Sequence, residues 1–69
     1  MMYGIKWMNR FSGEAGYVKD IKTKDKHFVN TWKPAEAKAY KTEAGANKAI
    51  DTLNEIGEGE NNEFELTRL

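Results

Sequence analysis

The sequence predicts an α+β domain of β-β-β-α-β order, in which one amphipathic helix packs on a small antiparallel sheet. Three observations support this fold: residues 3–8 alternate in polarity, a short polar turn joins two further alternating segments, and apolar residues near the C-terminal third recur at helical spacing. A chain of 69 residues is too short for two independent hydrophobic cores. Residues 1–69 are therefore expected to form a single domain.

The first strand is predicted over residues 3–8, where Tyr3, Ile5 and Trp7 share one face. The following turn formers and glycines predict a loop. We expect the ring of Phe11 to be tucked beneath this loop.

Two further strands are predicted over residues 17–23 and 26–32. The polar turn Lys24-Asp25 joins them, which indicates an antiparallel hairpin. On the first of these strands, Tyr17 and Ile21 are expected to share a face because side chains alternate along a strand.

Pro34 is expected to end the hairpin, because proline cannot donate a hydrogen bond to a ladder. Residues 35–41 are compatible with a short helix that begins at this proline. They are equally compatible with an extended segment leading to Tyr40, which is the interpretation we favour.

The amphipathic helix is predicted to begin after Thr42, which is a suitable N-cap, with Glu43 placed favourably in the first turn. Gly57 is expected to end it. Residues 57–62 then predict a flexible acidic loop, and a final strand follows. The apolar positions of the helix, spaced by three and four residues, are Ala46, Ala49, Ile50, Leu53 and Ile56.

No recognisable catalytic, cofactor or metal motif is present. Ser12 and His27 are the only serine and histidine, there is no cysteine, and neither residue lies in a catalytic motif. The loop with Glu58, Glu60 and neighbouring oxygen ligands lacks the spacing of an EF-hand. We therefore expect a protein that is not an enzyme and that carries no cofactor or metal.

Charge is distributed unevenly along the chain although the net charge is zero. Residues 1–42 hold nine Lys/Arg against four Asp/Glu, whereas residues 43–69 hold two against seven. The acidic part also opposes local helix stability, since Asp51 and Glu55 repel at one-turn spacing and Glu55 lies near the negative end of the helix dipole. Conflicts this small are compatible with a face that serves solubility alone, but local choices that oppose stability also often mark a binding face. The predicted partner-binding residues are Asp51, Glu55, Glu58 and Glu60, which would face a basic surface on a macromolecular partner.

The alternative hypothesis is single-stranded nucleic-acid binding by a basic hairpin that combines lysines with aromatic rings. The residues proposed for it are Lys19, Lys22, Lys24, Lys26, Tyr17 and Phe28. The segment Ile5-Lys6-Trp7-Met8-Asn9, with Gly16-Tyr17-Val18 and His27-Phe28-Val29, resembles fragments of the cold-shock domain, and this resemblance implies nucleic-acid binding. The resemblance covers residues 5–29 only. After Pro34 the chain departs from that family, since a predicted helix replaces the family's closing strands.

Residues 37–50, in which an alanine and an aromatic precede a Thr cap and an alanine-rich helix, are similar to a pattern in small bacteriophage-encoded accessory proteins. This resemblance implies a phage protein that binds and inhibits a host protein, for example a component of a defence system. The absence of cysteine and of a signal or membrane-spanning segment suggests the host cytoplasm. A homodimer is also expected to be possible, because a second copy would enlarge a small core.

Overall fold

Four antiparallel strands form one sheet in the order β3-β2-β1-β4. The computed structural model describes residues 1–69. The elements confirm the predicted α+β fold and its β-β-β-α-β order. They are β1 (Tyr3–Asn9), β2 (Ala15–Lys22), β3 (His27–Thr31), α1 (Glu43–Glu55) and β4 (Asn62–Arg68).

The core lies between one face of the sheet and α1. Ile5 of β1, Val18 of β2 and Leu53 of α1 are fully buried, and Trp7 is almost completely buried beside them. Alternation along β1 places Ile5 and Trp7 on the same face, as the sequence predicted. Because α1 packs mainly over β1 and β4, the opposite face of the sheet is left without a covering layer.

The ends of α1 follow the predicted capping chemistry. The backbone N–H of Gly45 donates to Oγ1 of Thr42 at 3.0 Å, so Thr42 is the N-cap. Gly57 has a φ of 96°, a left-handed conformation that favours glycine and turns the chain away from the helix axis. With 13 residues, α1 is too short and too polar to cross a membrane.

β2 contains a bulge that the sequence did not predict. Val18 pairs with Asn30 and Asp20 pairs with Val29, so one additional residue is accommodated in β2 between these two pairs. As a result both Val18 and Ile21 contact the core, although they are three positions apart. The prediction that Tyr17 and Ile21 share one face was wrong, because the bulge shifts the alternation between them.

Residues 35–41 combine both conformations that the sequence allowed. A 3₁₀ turn spans Pro34–Glu36, and the chain then extends between β1 and β2 where these strands diverge. There the N–H of Lys38 donates to Val18 O at 3.0 Å. Tyr3 and Tyr40 exchange two backbone hydrogen bonds of 2.8 and 2.7 Å, so the favoured extended conformation is found in the second half of the segment.

An aromatic row crosses the sheet on the helix side. The rings of Trp7 and Phe28 have centroids 6.1 Å apart, and Phe28 meets Phe64 edge-on at 5.4 Å. Trp32 packs on Trp7 at 5.5 Å but is 60% exposed. The contacts among Trp7, Phe28 and Phe64 connect three strands, and aromatic pairs of this kind contribute stability beyond the area that they bury.

Candidate binding surface

The four carboxylates predicted as partner-binding residues are carried by the second half of α1 and by the turn that follows it. Asp51 and Glu55 are exposed one turn apart, on the side of α1 opposite the buried Leu53. Glu58 and Glu60 belong to a 3₁₀ turn, Glu58–Glu60. We call these four residues the acidic surface.

None of the four carboxylates in the acidic surface forms an ion pair or a side-chain hydrogen bond within the chain. Residues 51–65 contain no Lys or Arg, and Lys48, one turn before Asp51 on α1, forms no ion pair with it. The charges of the four carboxylates are therefore available to a partner.

Within the loop predicted over residues 57–62, Glu58–Glu60 form a 3₁₀ turn that the sequence did not predict. The backbone N–H of Glu60 donates to Gly57 O at 3.3 Å, and the side-chain amide of Asn62 donates to Glu58 O at 3.2 Å. Arg10 also donates from Nε to the carbonyl oxygen of Gly59 at 3.2 Å. These contacts hold the acidic turn against the start of β4 and the end of β1.

Arg10 is a functional neighbour that sequence reasoning missed. Its Nη1 lies 3.0 Å from Oε1 of Glu63, in an ion pair that joins residues 53 positions apart. No local pattern could indicate this contact, because it depends on the pairing of β1 with β4. Arg10 also lines the largest concavity, of about 430 Å³, which includes Lys6, Glu63 and Glu65.

Phe11 lies at the same end of the molecule and is 80% exposed, so the prediction that it is tucked beneath its loop was wrong. The loop itself is well ordered. Oδ1 of Asn9 accepts the backbone N–H groups of Phe11 and Ser12, each at 2.9 Å, and these bonds hold the loop in a conformation that directs the ring to solvent. The next contact along the chain, from Arg10 N–H to Asn61 O at 2.8 Å, places this loop beside the acidic turn.

The strand register places the acidic turn and the turn of the basic hairpin at opposite ends of the sheet. Asn9 pairs with Asn62 at the end that carries the acidic turn and Phe11, whereas Lys22 pairs with His27 at the other end of β2. Each end also holds opposite charges, since Arg10 lies at the acidic turn and Asp20 and Asp25 lie near the hairpin lysines.

The lysines of the basic hairpin are partly neutralised. Nζ of Lys22 lies 3.2 Å from Oδ2 of Asp20, and Nζ of Lys19 lies 4.0 Å from Oε1 of Glu36. The hydrogen bond from Lys22 lowers the pKa of Asp20 below its usual value, and the backbone N–H of Ile21 acts in the same direction. Asp20 is thus a negative charge within the predicted nucleic-acid site.

Lys24 and Lys26 lie in the turn of the basic hairpin and form no ion pair. The structure does not place the two proposed stacking rings on one surface. Tyr17 pairs with Lys6, on the face away from α1, whereas Phe28 contacts Trp7 on the helix face.

The candidate catalytic residues lie far apart. Ser12 lies in the β1–β2 loop, where its Oγ accepts the N–H of Glu14 at 3.2 Å. His27 begins β3 and pairs with Lys22 at the opposite end of β2, with Nε2 3.9 Å from Oδ2 of Asp25. No three His, Asp or Glu side chains converge in a geometry that would hold a metal ion.

Comparison with protein-family models, with curated proteins and with solved structures found no match to this chain.

Proposed function

We propose that the protein is a non-catalytic binding protein that attaches stoichiometrically to a basic surface of a host macromolecule through its acidic surface. The observation that carries this proposal is that the side-chain carboxylates of four acidic residues form no ion pair or hydrogen bond within the chain. These residues are Asp51, Glu55, Glu58 and Glu60. Complementary charge speeds encounter and selects the partner more than it adds affinity.

The exposed ring of Phe11 supports the proposal that the end of the molecule with the acidic turn contacts the partner. An exposed aromatic ring on an ordered loop loses little conformational freedom on binding, and aromatic residues dominate the energetics of many interfaces. In this arrangement Phe11 supplies apolar contact while Glu58 and Glu60 fix orientation. The similarity to small phage-encoded proteins supports a host protein as partner, with binding acting as inhibition in the host cytoplasm.

The decisive experiment compares two substitutions at opposite ends of one helix. Glu55→Lys and Glu43→Lys change the net charge equally, but Glu43 starts α1 and lies about 18 Å from Glu55 at 1.5 Å per residue. Immobilised wild-type protein and both variants would be incubated with host lysate, and captured proteins would be quantified by mass spectrometry. We expect a basic protein to be captured stoichiometrically by the wild type and by Glu43→Lys, and to be lost with Glu55→Lys. Equal capture by all three proteins would reject the acidic surface.

Nucleic-acid binding is the second candidate, and the unpaired Lys24 and Lys26 are the observation that favours it. A fluorescence titration with labelled single-stranded DNA at low salt tests it, because phosphate contacts weaken steeply as salt rises. If this candidate is correct, Lys24→Glu with Lys26→Glu abolishes binding while Glu55→Lys preserves it. The acidic-surface proposal predicts that none of these proteins binds the labelled DNA.

A further inference from the structure

The outer edge of β4 carries backbone groups that no other part of the chain uses. Arg10 N–H donates to Asn61 O, next to the ladder in which Asn9 pairs with Asn62. In an antiparallel ladder, hydrogen-bonded and non-hydrogen-bonded pairs alternate. Because Arg10 and Asn61 form a hydrogen-bonded pair, the neighbouring pair of Asn9 and Asn62 is not hydrogen-bonded, and the alternation continues along β4. The odd-numbered residues of β4 therefore bond to β1. Phe64 and Leu66 instead direct their backbone N–H and C=O groups away from β1, toward the open edge.

This edge has no neighbouring strand, and acidic and apolar side chains alternate along it. No turn, loop or cap hydrogen bond reaches the backbone of Phe64 or Leu66, and β4 has no strand on its outer side. Glu63 and Glu65 project from the uncovered face of the sheet, where Glu63 is paired with Arg10 and Glu65 forms no ion pair. Phe64 and Leu66 project toward α1 and are half-buried. An added strand would thus meet carboxylates on one face and apolar groups on the other.

We propose that β4 binds an extended segment of the partner as a fifth, antiparallel strand, with Lys or Arg beside Glu65, whose carboxylate forms no ion pair, and apolar side chains beside Phe64 and Leu66. This inference rests on the proposed function, because it assumes a basic partner. Main-chain hydrogen bonds supply affinity in strand addition, and alternate side chains supply specificity. The edge begins at the acidic turn, so both surfaces contact one basic region.

A second copy of this chain is a poorer occupant of the same edge. If the β4 strands of two copies paired antiparallel along their whole length, the central residue Glu65 of one copy would lie directly opposite Glu65 of the other. Like charges at that position destabilise a strand pair. The other free edge, at β3, is flanked by Lys26 and Lys33 and would repel a basic segment.

The probe is an eight-residue peptide of alternating Lys and Val, acetylated and amidated at its ends. In antiparallel pairing, directly opposite residues share a face, so the valine amides bond to Phe64 and Leu66. We expect saturating peptide to slow hydrogen exchange at the Phe64 and Leu66 amides by about tenfold or more, since exchange requires the hydrogen bond to open. Methylating the valine amide nitrogens should abolish binding, whereas methylating the lysine amides should preserve it. Unchanged exchange, or equal effects of the two methylation patterns, would overturn the proposal.

Two variants separate this inference from the proposed function. Glu65→Lys should weaken peptide binding about tenfold through repulsion, while Glu43→Lys should not change it. If Glu55→Lys abolishes partner capture but the peptide fails the methylation test, the acidic surface is correct and strand addition is wrong. If Glu55→Lys leaves capture unchanged, the proposed function fails, whatever the peptide does.

Discussion

Arg10 joins the end of β1 to the start of β4 by an ion pair of 3.0 Å with Glu63. The same guanidinium donates to Gly59 O at 3.2 Å, so one side chain connects two segments that are remote in sequence. The pair is about half-exposed, and pairs of this kind contribute little because water and salt screen them.

We expect Arg10→Gln to lower the free energy of unfolding by about 1 kcal/mol or less, since it removes an exposed ion pair and a hydrogen bond to Gly59. Hydrogen exchange at Glu60 should accelerate more than exchange in α1. Urea denaturation and exchange measured by NMR test both expectations. Lys24→Gln, which removes an unpaired charge, is the control, and an equal effect of the two variants would contradict this role of Arg10.

Charge reversal at the two ends of α1 should change stability in opposite directions. Glu55→Lys places a cation near the negative end of the helix dipole and removes repulsion with Asp51, so we expect a gain of about 0.3–1 kcal/mol. Glu43→Lys should lose a similar amount at the positive end of the dipole. Thermal denaturation at low salt would show the difference, and it should shrink in 1 M salt. A loss of stability in Glu55→Lys would mean that Glu55 has a structural partner.

Gly16 is required because Trp7 and the backbone of Thr31 approach it closely. A Cβ atom added at Gly16 would lie 3.0 Å from the Trp7 indole and 3.0 Å from Thr31 O. We expect Gly16→Ala to destabilise the protein by about 1–3 kcal/mol, as overpacking does. In a double-mutant cycle with Trp7→Phe, the smaller ring should relieve part of this cost. Strict additivity in urea denaturation would show that the indole is not the obstacle.

Tyr40 should make the protein sensitive to alkali. Burial raises the pKa of Tyr40 above its usual value of 10.0, and the negative charge of Asp20 acts in the same direction. The folded state then holds the Tyr40 proton more tightly than the unfolded state. This contribution to stability is fully present below pH 10 and is lost as the pH rises through the folded-state pKa.

Tyr40→Phe keeps the ring and the backbone bonds to Tyr3 but has no titrating hydroxyl. Urea midpoints at increasing pH should therefore fall less steeply above pH 10 for this variant than for the wild type. Parallel curves for the two proteins across the alkaline range would show that Tyr40 does not contribute to the loss.

Phe11 should be dispensable for folding. Because its ring is 80% exposed, we expect Phe11→Ala to change the unfolding free energy by about 0.5 kcal/mol or less. Phe28→Ala, which removes a ring packed between Trp7 and Phe64, should cost considerably more. Differential scanning calorimetry would compare the two variants. Comparable losses would place Phe11 in the core.

The sequence predicted those parts of the fold that depend on local chemistry. Period-two alternation revealed β1, and the cap at Thr42 with the stop at Gly57 bounded α1. The bulge in β2 was not predictable, because Lys19 gives no local sign that the pairing shifts between Val18 and Asp20.

The sequence predicted which residues form the candidate binding surface, but it could not predict which other residues lie next to them in the fold. Sequence spacing placed Asp51 and Glu55 on one side of α1. That the Phe11 loop lies beside the acidic turn and that Arg10 approaches Glu63 both depend on the pairing of β1 with β4. This pairing is a long-range contact, and sequence periodicity carries no information about which strands become neighbours.

The position of β1 between β2 and β4 has a consequence for folding kinetics. β2 follows β1 closely along the chain, whereas pairing with β4 brings together Asn9 and Asn62, 53 positions apart. Closing so long a loop costs entropy before the contacts within it compensate. The hairpin of β2 and β3 can form early, but the docking of α1 and β4 onto β1 should limit the folding rate. A high contact order therefore predicts slower folding than the small size of the chain suggests.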